Sequence, residues 1–304
     1  MRINPKATAV LVAVGALFGA NYVLVKLAIG TVGVIDLTLG RSVIAAVAIY
    51  GYCRVRQIKP LAAPLRQVIT LGVLSATLPY TLLSLATQLT NAGTGAIINA
   101  TGPSFTLLIA GVLGIERFSR RASVGLALSW LGVALVSLQR AARVDLHFVL
   151  GVLLGLVGTA SFAASGIYAK RHFSREASYR TALSQQIVAA VSLAPLALFI
   201  RPHASPSALV IGDVLVLGLA GTALAYVLFF WLVSSAGAVS ASYVSYLVPV
   251  FGVGWGWLAL GEQVRALSLV GMFVVLAGLW MLLGAGAGAG AASAQPESLV
   301  EPAN

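Results

Sequence analysis

Residues 95–132 read GAIINATGPSFTLLIAGVLGIERFSRRASVGLALSWLG, and residues 241–278 read ASYVSYLVPVFGVGWGWLALGEQVRALSLVGMFVVLAG. Laid over one another without a gap, both carry a proline inside an apolar run, a glutamate after it and two glycines further on. Pro249 minus Pro103 gives 146, and the same offset joins Glu262 to Glu116, Gly271 to Gly125 and Gly278 to Gly132. Four landmarks at one offset mark an internal repeat, and a repeat decides how the whole chain is read. Outward from this stretch, Gly72 meets Gly218 and Tyr80 meets Tyr226 at the same offset. Further towards the N-terminus, Lys170 minus Lys26 gives 144, a two-residue indel. At that offset Phe18 meets Phe162, and Ala45-Ala46-Val47 meets Ala189-Ala190-Val191. The chain is a duplication: residues 1–140 and 141–284 form the copies, and residues 285–304 a low-complexity tail expected to be disordered.

Composition names the solvent. Of the 304 residues, 59% are hydrophobic and 9% are charged, against about 25% charged in an ordinary soluble domain. Apolar runs of roughly 20 residues recur along the chain, each long enough to cross a hydrocarbon core as a helix. The reading is an all-α polytopic membrane protein with spans at 7–29, 34–54, 66–88, 93–114, 122–139, 147–169, 180–200, 211–233, 238–259 and 266–284. The lipid bilayer is therefore its first partner. The N-terminal run is too long for the apolar core of a signal peptide and reads as the first span.

The net charge of +11 does not point to nucleic acid, because the basic residues sit in short gaps between apolar runs. Arg2 and Lys6, then Arg54, Arg56, Lys59 and Arg66, then Arg117, Arg120 and Arg121, then Lys170, Arg171, Arg175 and Arg180 fall on one side. The other side holds Arg140, Arg143, Arg201 and Arg265. This excess places both termini in the cytoplasm, and the chain in the cell's inner membrane. The single cysteine, Cys53, excludes an internal disulfide and a multi-cysteine metal site. No cofactor or metal is expected.

Five spans per copy is an odd number, so the second copy enters the membrane from the opposite side. Ten transmembrane helices as two inverted five-helix repeats is an arrangement typical of secondary transporters, with a substrate site near the midplane. The internal pseudo-dimer makes a monomer the expected working unit.

The pattern of mid-span proline, following glutamate and two glycines resembles the EamA family of the drug/metabolite transporter superfamily. Phe18-Gly19-x-Asn21 is similar to that family's opening motif; the second copy departs from it with Phe162-Ala163-Ala164-Ser165. The resemblance covers residues 7–284. It implies a non-enzymatic, secondary transporter of amino acids or other metabolites, and its YddG-like branch implies aromatic amino acids. It also implies a central cavity built from the third, fourth, eighth and ninth spans.

Candidate site residues follow. Asn21 belongs to the opening motif. Pro79, Pro103 and Pro249 are candidates for bends or gates, since a mid-helix proline frees a carbonyl; the bland alternative is a packing kink. Tyr80, Ser84, Asn99, Tyr226, Trp231, Tyr243, Ser245 and Tyr246 lie at mid-depth and suit a zwitterion with an apolar side chain; for any single tyrosine the alternative is interhelical packing. Arg41 lies inside the second span, where a charge reads as functional, and faces either a substrate carboxylate or a wet wall. In the second copy it meets Gln185. Lys26 is expected to snorkel to the outer interface and to pair with Asp36. Glu116 and Glu262 are expected to accept N–H groups at the start of the next helix. No carboxylate falls at mid-span, which favours facilitated diffusion over proton coupling. Clusters of carboxylates, a paired nucleophile and base, or metal ligands are absent from the spans, which argues against an enzyme. The expectation is an amino acid exporter. A transporter of another metabolite, such as a nucleotide-sugar, is the alternative, weakened because phosphates call for several cavity cations.

Overall fold

The computed structural model describes residues 5–58, 63–115, 119–138, 146–173, 178–200 and 204–292. Every regular element among them is helical. Helix α1 runs from Pro5–Val55, 51 residues, which at 1.5 Å per residue is more than twice a hydrocarbon core of about 30 Å. Gly33 divides it with φ 78° and ψ 167°, a backbone conformation open to glycine because it lacks a Cβ. The chain folds back there: Val25, Ala28, Ile29 and Val32 before the break share one apolar cluster with Leu37 after it.

Helix α2 (Leu65–Gly72) continues through a π-helical segment, Val73–Thr77, into α3 (Leu78–Leu89). Helices α4 (Ala92–Asn99) and α5 (Gly102–Val112) follow, then α6 (Arg120–Leu138), α7 (Leu146–His172) and α8 (Ser178–Phe199). Helix α9 (Ala208–Gly218) passes through a second π-helical segment, Leu219–Leu224, into α10 (Ala225–Ser242). Helices α11 (Val244–Leu260) and α12 (Ala266–Ala292) complete the bundle. Among the described residues, six helical stretches are long and apolar enough to cross a membrane, and α11 and residues 266–282 are shorter apolar helices. Large apolar side chains such as Val47, Leu153, Phe273 and Trp280 are exposed on the outside, as a lipid-facing surface requires.

Three expectations change. Pro103 does not bend a continuous helix. The fourth span breaks at Ala100 and Thr101, and Pro103 sits in the first turn of α5, where its missing N–H costs nothing. Pro249, by contrast, lies inside α11. The expected loop between the eighth and ninth spans is a single turn at Tyr243. Helix α12 runs to Ala292, beyond the expected start of the tail at 285. Alanine extends an existing helix without a nucleation cost. Residues 293–304 lie outside the described residues.

Two sets of contacts are reciprocal. A Cβ on Gly125 would lie 2.7 Å from the Gly278 carbonyl oxygen, and one on Gly132 would lie 2.6 Å from that of Gly271. The partner numbers fall as the α6 numbers rise, so α6 and α12 run antiparallel, and the four glycines are the two repeat-related pairs. Likewise Gly72 is closed against Val188, and Gly218 against Ile44. Helices α4 and α11 are also antiparallel: Gly252 meets Ala96, and Gly256 approaches Ala92.

Candidate functional site

The second π-helical segment organises the centre of the bundle. A π turn carries one extra residue, so its bonds reach five residues back, and such turns recur at functional sites. Here the Thr222 hydroxyl donates to the Leu217 carbonyl, five residues earlier, at 2.8 Å. The next carbonyl back along the segment is used too: Asn21 Nδ2 donates to Gly221 O at 2.9 Å. Any Cβ at residue 221 would collide with Asn21 Oδ1, so this approach depends on glycine.

Arg41 reaches the same segment. Its Nε and Nη2 donate to Thr222 Oγ1 at 3.2 and 3.0 Å. The guanidinium carbon lies 4.1 Å from the centroid of the Tyr80 ring, a cation–π distance. The Tyr80 hydroxyl accepts from Gln186 Nε2 at 3.0 Å and shares a 3.0 Å hydrogen bond with the Tyr226 hydroxyl. Tyr80 and Tyr226 are repeat mates, so the two copies touch each other through the same residue. Arg41 is only 6% exposed, a buried cation held by a hydroxyl and an aromatic face.

These groups border a cavity of about 1100 Å³. Asn21, Arg41, Pro79, Tyr80, Ser84, Asn99, Pro103, Tyr226 and Ser245 line it. Phe18 and Phe229 form an aromatic wall, with Phe18 edge-on to Tyr226 at 6.0 Å. Tyr22 also lines the cavity, beside Asn99. The wall continues to Ile115, Ser119, Lys170, Ala241 and Ser242, which lie at one end of the bundle, where α5 and α7 finish and α6 and α11 begin. The opposite end is tied shut. Lys26 Nζ donates to the carbonyls of Thr87, Gln88 and Thr90 at 2.9–3.3 Å, and Glu262 accepts from the N–H groups of Ala92 and Gly93 at 2.8 and 3.2 Å.

Several candidates fall elsewhere. Trp231 does not line the cavity; its ring lies under Lys6, with Nζ 5.3 Å from the centroid. Tyr243 and Tyr246 pack against each other with tilted rings, centroids 6.0 Å apart, off the wall, and Pro249 is buried within α11. The reason is helical rotation: Ala241, Ser245 and Val248 share the cavity face at spacings of four and three. Lys26 caps the last turn of α3 rather than pairing with Asp36, because a cation near a helix C-terminus satisfies its orphan carbonyls. Glu262 caps α4, in the other repeat, rather than the next helix. Glu116 lies outside the described residues.

The sequence did not point to Phe18, Tyr22, Phe229 or Lys170, which line the cavity, nor to Gln186 and Thr222, which hold Tyr80 and Arg41 from behind. Phe18 and Tyr22 were within reach, since they share a helix face with Asn21 and Val25. Gln186 and Thr222 carried no signal. Among the described residues no three His, Cys, Asp or Glu side chains form a metal-binding group.

The sequence model of the EamA-like transporter family matches residues 6–138 and again residues 149–284. The chain belongs to the EamA-like transporter family. The double match means that it carries two EamA repeats, and that it is a multi-pass membrane transporter of the drug/metabolite type. It is similar to an uncharacterized transporter, YoaV, of Bacillus subtilis, 23% identical over 202 residues, covering 66% of this chain and 69% of that one. A second B. subtilis protein, the uncharacterized transporter YdfC, is 24% identical over 248 residues, covering 80% and 78%. An uncharacterized transporter of Archaeoglobus fulgidus is 21% identical over 219 residues, covering 72% and 78%. A crystal structure of a protein matches with a TM-score of 0.68 at 17% identity, over 91% of this chain and 96% of that one; it supports the fold alone.

Proposed function

We propose that this EamA-like transporter exports neutral amino acids, aromatic ones foremost, by alternating access around the central cavity. The observation that carries the proposal is the cavity wall itself. A buried guanidinium lies beside an aromatic surface, in a space large enough for a small solute. Arg41 supplies charge-assisted donors for a carboxylate. Phe18, Tyr22, Tyr80, Tyr226 and Phe229 supply ring faces for the side chain. Ser84, Asn99 and Ser245 add polar contacts. Pro79 and Pro103 shape the wall, and Pro249 bends α11 behind it.

The ten-helix, inverted-repeat reading draws support from the reciprocal contacts. Antiparallel helices that pair through repeat-related glycines imply a two-fold axis perpendicular to them, and for membrane-spanning helices that axis lies in the membrane plane. The excess of Lys and Arg in one set of loops supports a cytoplasmic side for the termini, and for the end towards which the cavity extends, in an inner-membrane protein. This conformation is then inward-facing, with Lys26 and Glu262 closing the outer side. Transport is downhill and needs one chain.

Counterflow into proteoliposomes with labelled phenylalanine, tryptophan and methionine tests the proposal. Protein-dependent exchange, competed by other neutral amino acids, supports it. Exchange of a nucleotide-sugar but of no amino acid replaces it with the alternative substrate.

A further inference from the structure

We infer that the cavity reads the carboxylate of its substrate and not the ammonium, so that amphipathic monocarboxylates without an amino group are carried at least as well as amino acids. The inference rests on the proposed role of the cavity as the substrate site and narrows its chemistry.

Charge balance carries it. Arg41 and Lys170 line the cavity, and no Asp or Glu does among the described lining residues. The two differ in depth. Lys170 is exposed and lies with Ser119 and Ser242 at one end of the bundle, while Arg41 is buried deeper among Thr222 and Tyr80. Arg41 spends Nε and Nη2 on Thr222 Oγ1, and its ring contact with Tyr80 covers one face. A guanidinium has five N–H donors, and Nη1 takes no part in these bonds. A buried cation without a counter-charge is costly and is relieved by an anion with good hydrogen-bond geometry. An arriving carboxylate supplies that counter-charge.

An arriving ammonium meets no carboxylate among the described lining residues. The polar groups beside Arg41 are neutral hydroxyls and amides, and several are already engaged. The amide nitrogens of Asn21 and Gln186 donate to Gly221 O and the Tyr80 hydroxyl, the two tyrosine hydroxyls bond each other, and the acceptors left over, Asn21 Oδ1 and Gln186 Oε1, are neutral oxygens close to a guanidinium that repels a second cation. A zwitterion therefore gains at one end and loses by repulsion at the other. A carboxylate on an aromatic or aliphatic body gains at one end, and its body lies against Phe18 and Phe229. An organic cation gains no counter-charge from the described lining residues.

The test uses the full chain in proteoliposomes at neutral pH, with three probes of one skeleton: phenylalanine, 3-phenylpropionate and phenethylamine. Protein-free vesicles correct for passive permeation. The expected result is inhibition of labelled phenylalanine counterflow by 3-phenylpropionate at a concentration within about threefold of phenylalanine's own, with phenethylamine needing more than about tenfold more. The inference is overturned, with amino acid export left standing, if phenylalanine exchanges while 3-phenylpropionate neither competes nor enters, or if phenethylamine competes equally well. If phenylalanine does not exchange, the amino acid reading fails, and direct uptake of labelled 3-phenylpropionate decides. Protein-dependent uptake that Arg41→Gln abolishes upholds the inference, and no uptake overturns it.

Discussion

The π-helical segments Val73–Thr77 and Leu219–Leu224 begin at positions related by the repeat, yet they make opposite use of the same geometry. The second holds the polar apparatus: Gly221 accepts from Asn21, and Thr222 accepts from Arg41. The corresponding residues of the first are Ser75 and Ala76. Ser75 Oγ donates to Leu71 O within its own helix, and Ala76 is packed with Tyr80 and Ala189. The residues that would reach the first segment have changed in step: Asn21 corresponds to Ser165 and Arg41 to Gln185. Ser165 bonds Phe162 O in its own helix. Duplication supplied the backbone twice, and substitution charged one copy only. Two π-helical segments can therefore match in backbone while the polar side-chain contacts sit on one of them.

The sharpest way to break this comparison is to make the first copy resemble the second. Arg41→Gln should cut counterflow by about 100-fold per inserted molecule, since charge-assisted bonds contribute about 1.5–3 kcal/mol each. Near-normal counterflow would mean that the asymmetry is ornamental. Next in size, Gly221→Ala places a Cβ where Asn21 Oδ1 lies, and should lower the rate by about tenfold through loss of a buried hydrogen bond plus steric displacement. Its mate Ser75→Ala should stay within about twofold, as expected for a hydroxyl bonded only within its own helix. Equal effects from the two would dissolve the distinction between the segments. Thr222→Ala copies Ala76 and removes the anchor of Arg41. It should raise KM by about threefold to tenfold, whereas Thr222→Ser should restore it.

The smallest effect concerns Pro79. In the second segment the N–H of Ala225 donates to Ala220 O. In the first, the corresponding residue is Pro79, which has no N–H, and Leu74 O accepts from Ser161 Oγ at 2.9 Å instead. Ser161→Ala should destabilise the wild type by about 0.6–1 kcal/mol, and much less in a Pro79→Ala background. Thermal unfolding of the four proteins in detergent measures the coupling; additive shifts would show that the serine does not stand in for the missing amide.

Much of this was legible from residues. The offset of Pro103 and Pro249 gave away the repeat, because a proline in an apolar run is rare enough to serve as a landmark. Arg41 stood out because charges are scarce in lipid, and Tyr80 and Tyr226 because they are repeat mates. Helix rotation was not legible. Residues 238–259 are apolar on every side, so no amphipathic stripe distinguished the face of Ser245 from that of Tyr243 and Tyr246. The π turns were hidden because a shift of hydrogen bonds from four to five residues leaves no composition signature. The partners of Lys26 and Glu262 were hidden because both cap helices remote in the chain: Lys26 reaches the end of α3 within its own repeat, and Glu262 reaches the start of α4 in the other repeat.

The glycine seam between α6 and α12 bears on how such a molecule can move. Two backbones meet there at van der Waals distance, with no long side chain between them to change rotamer or slide. That makes the seam a keel common to both halves. Ile97 and Ile98 of α4, Ala100 just after it and Val253 of α11 pack onto the seam helices through Val133, Val136, Met272 and Val275, so an exchange of openings that pivots there would displace α1 and α9 more than α4 or α11.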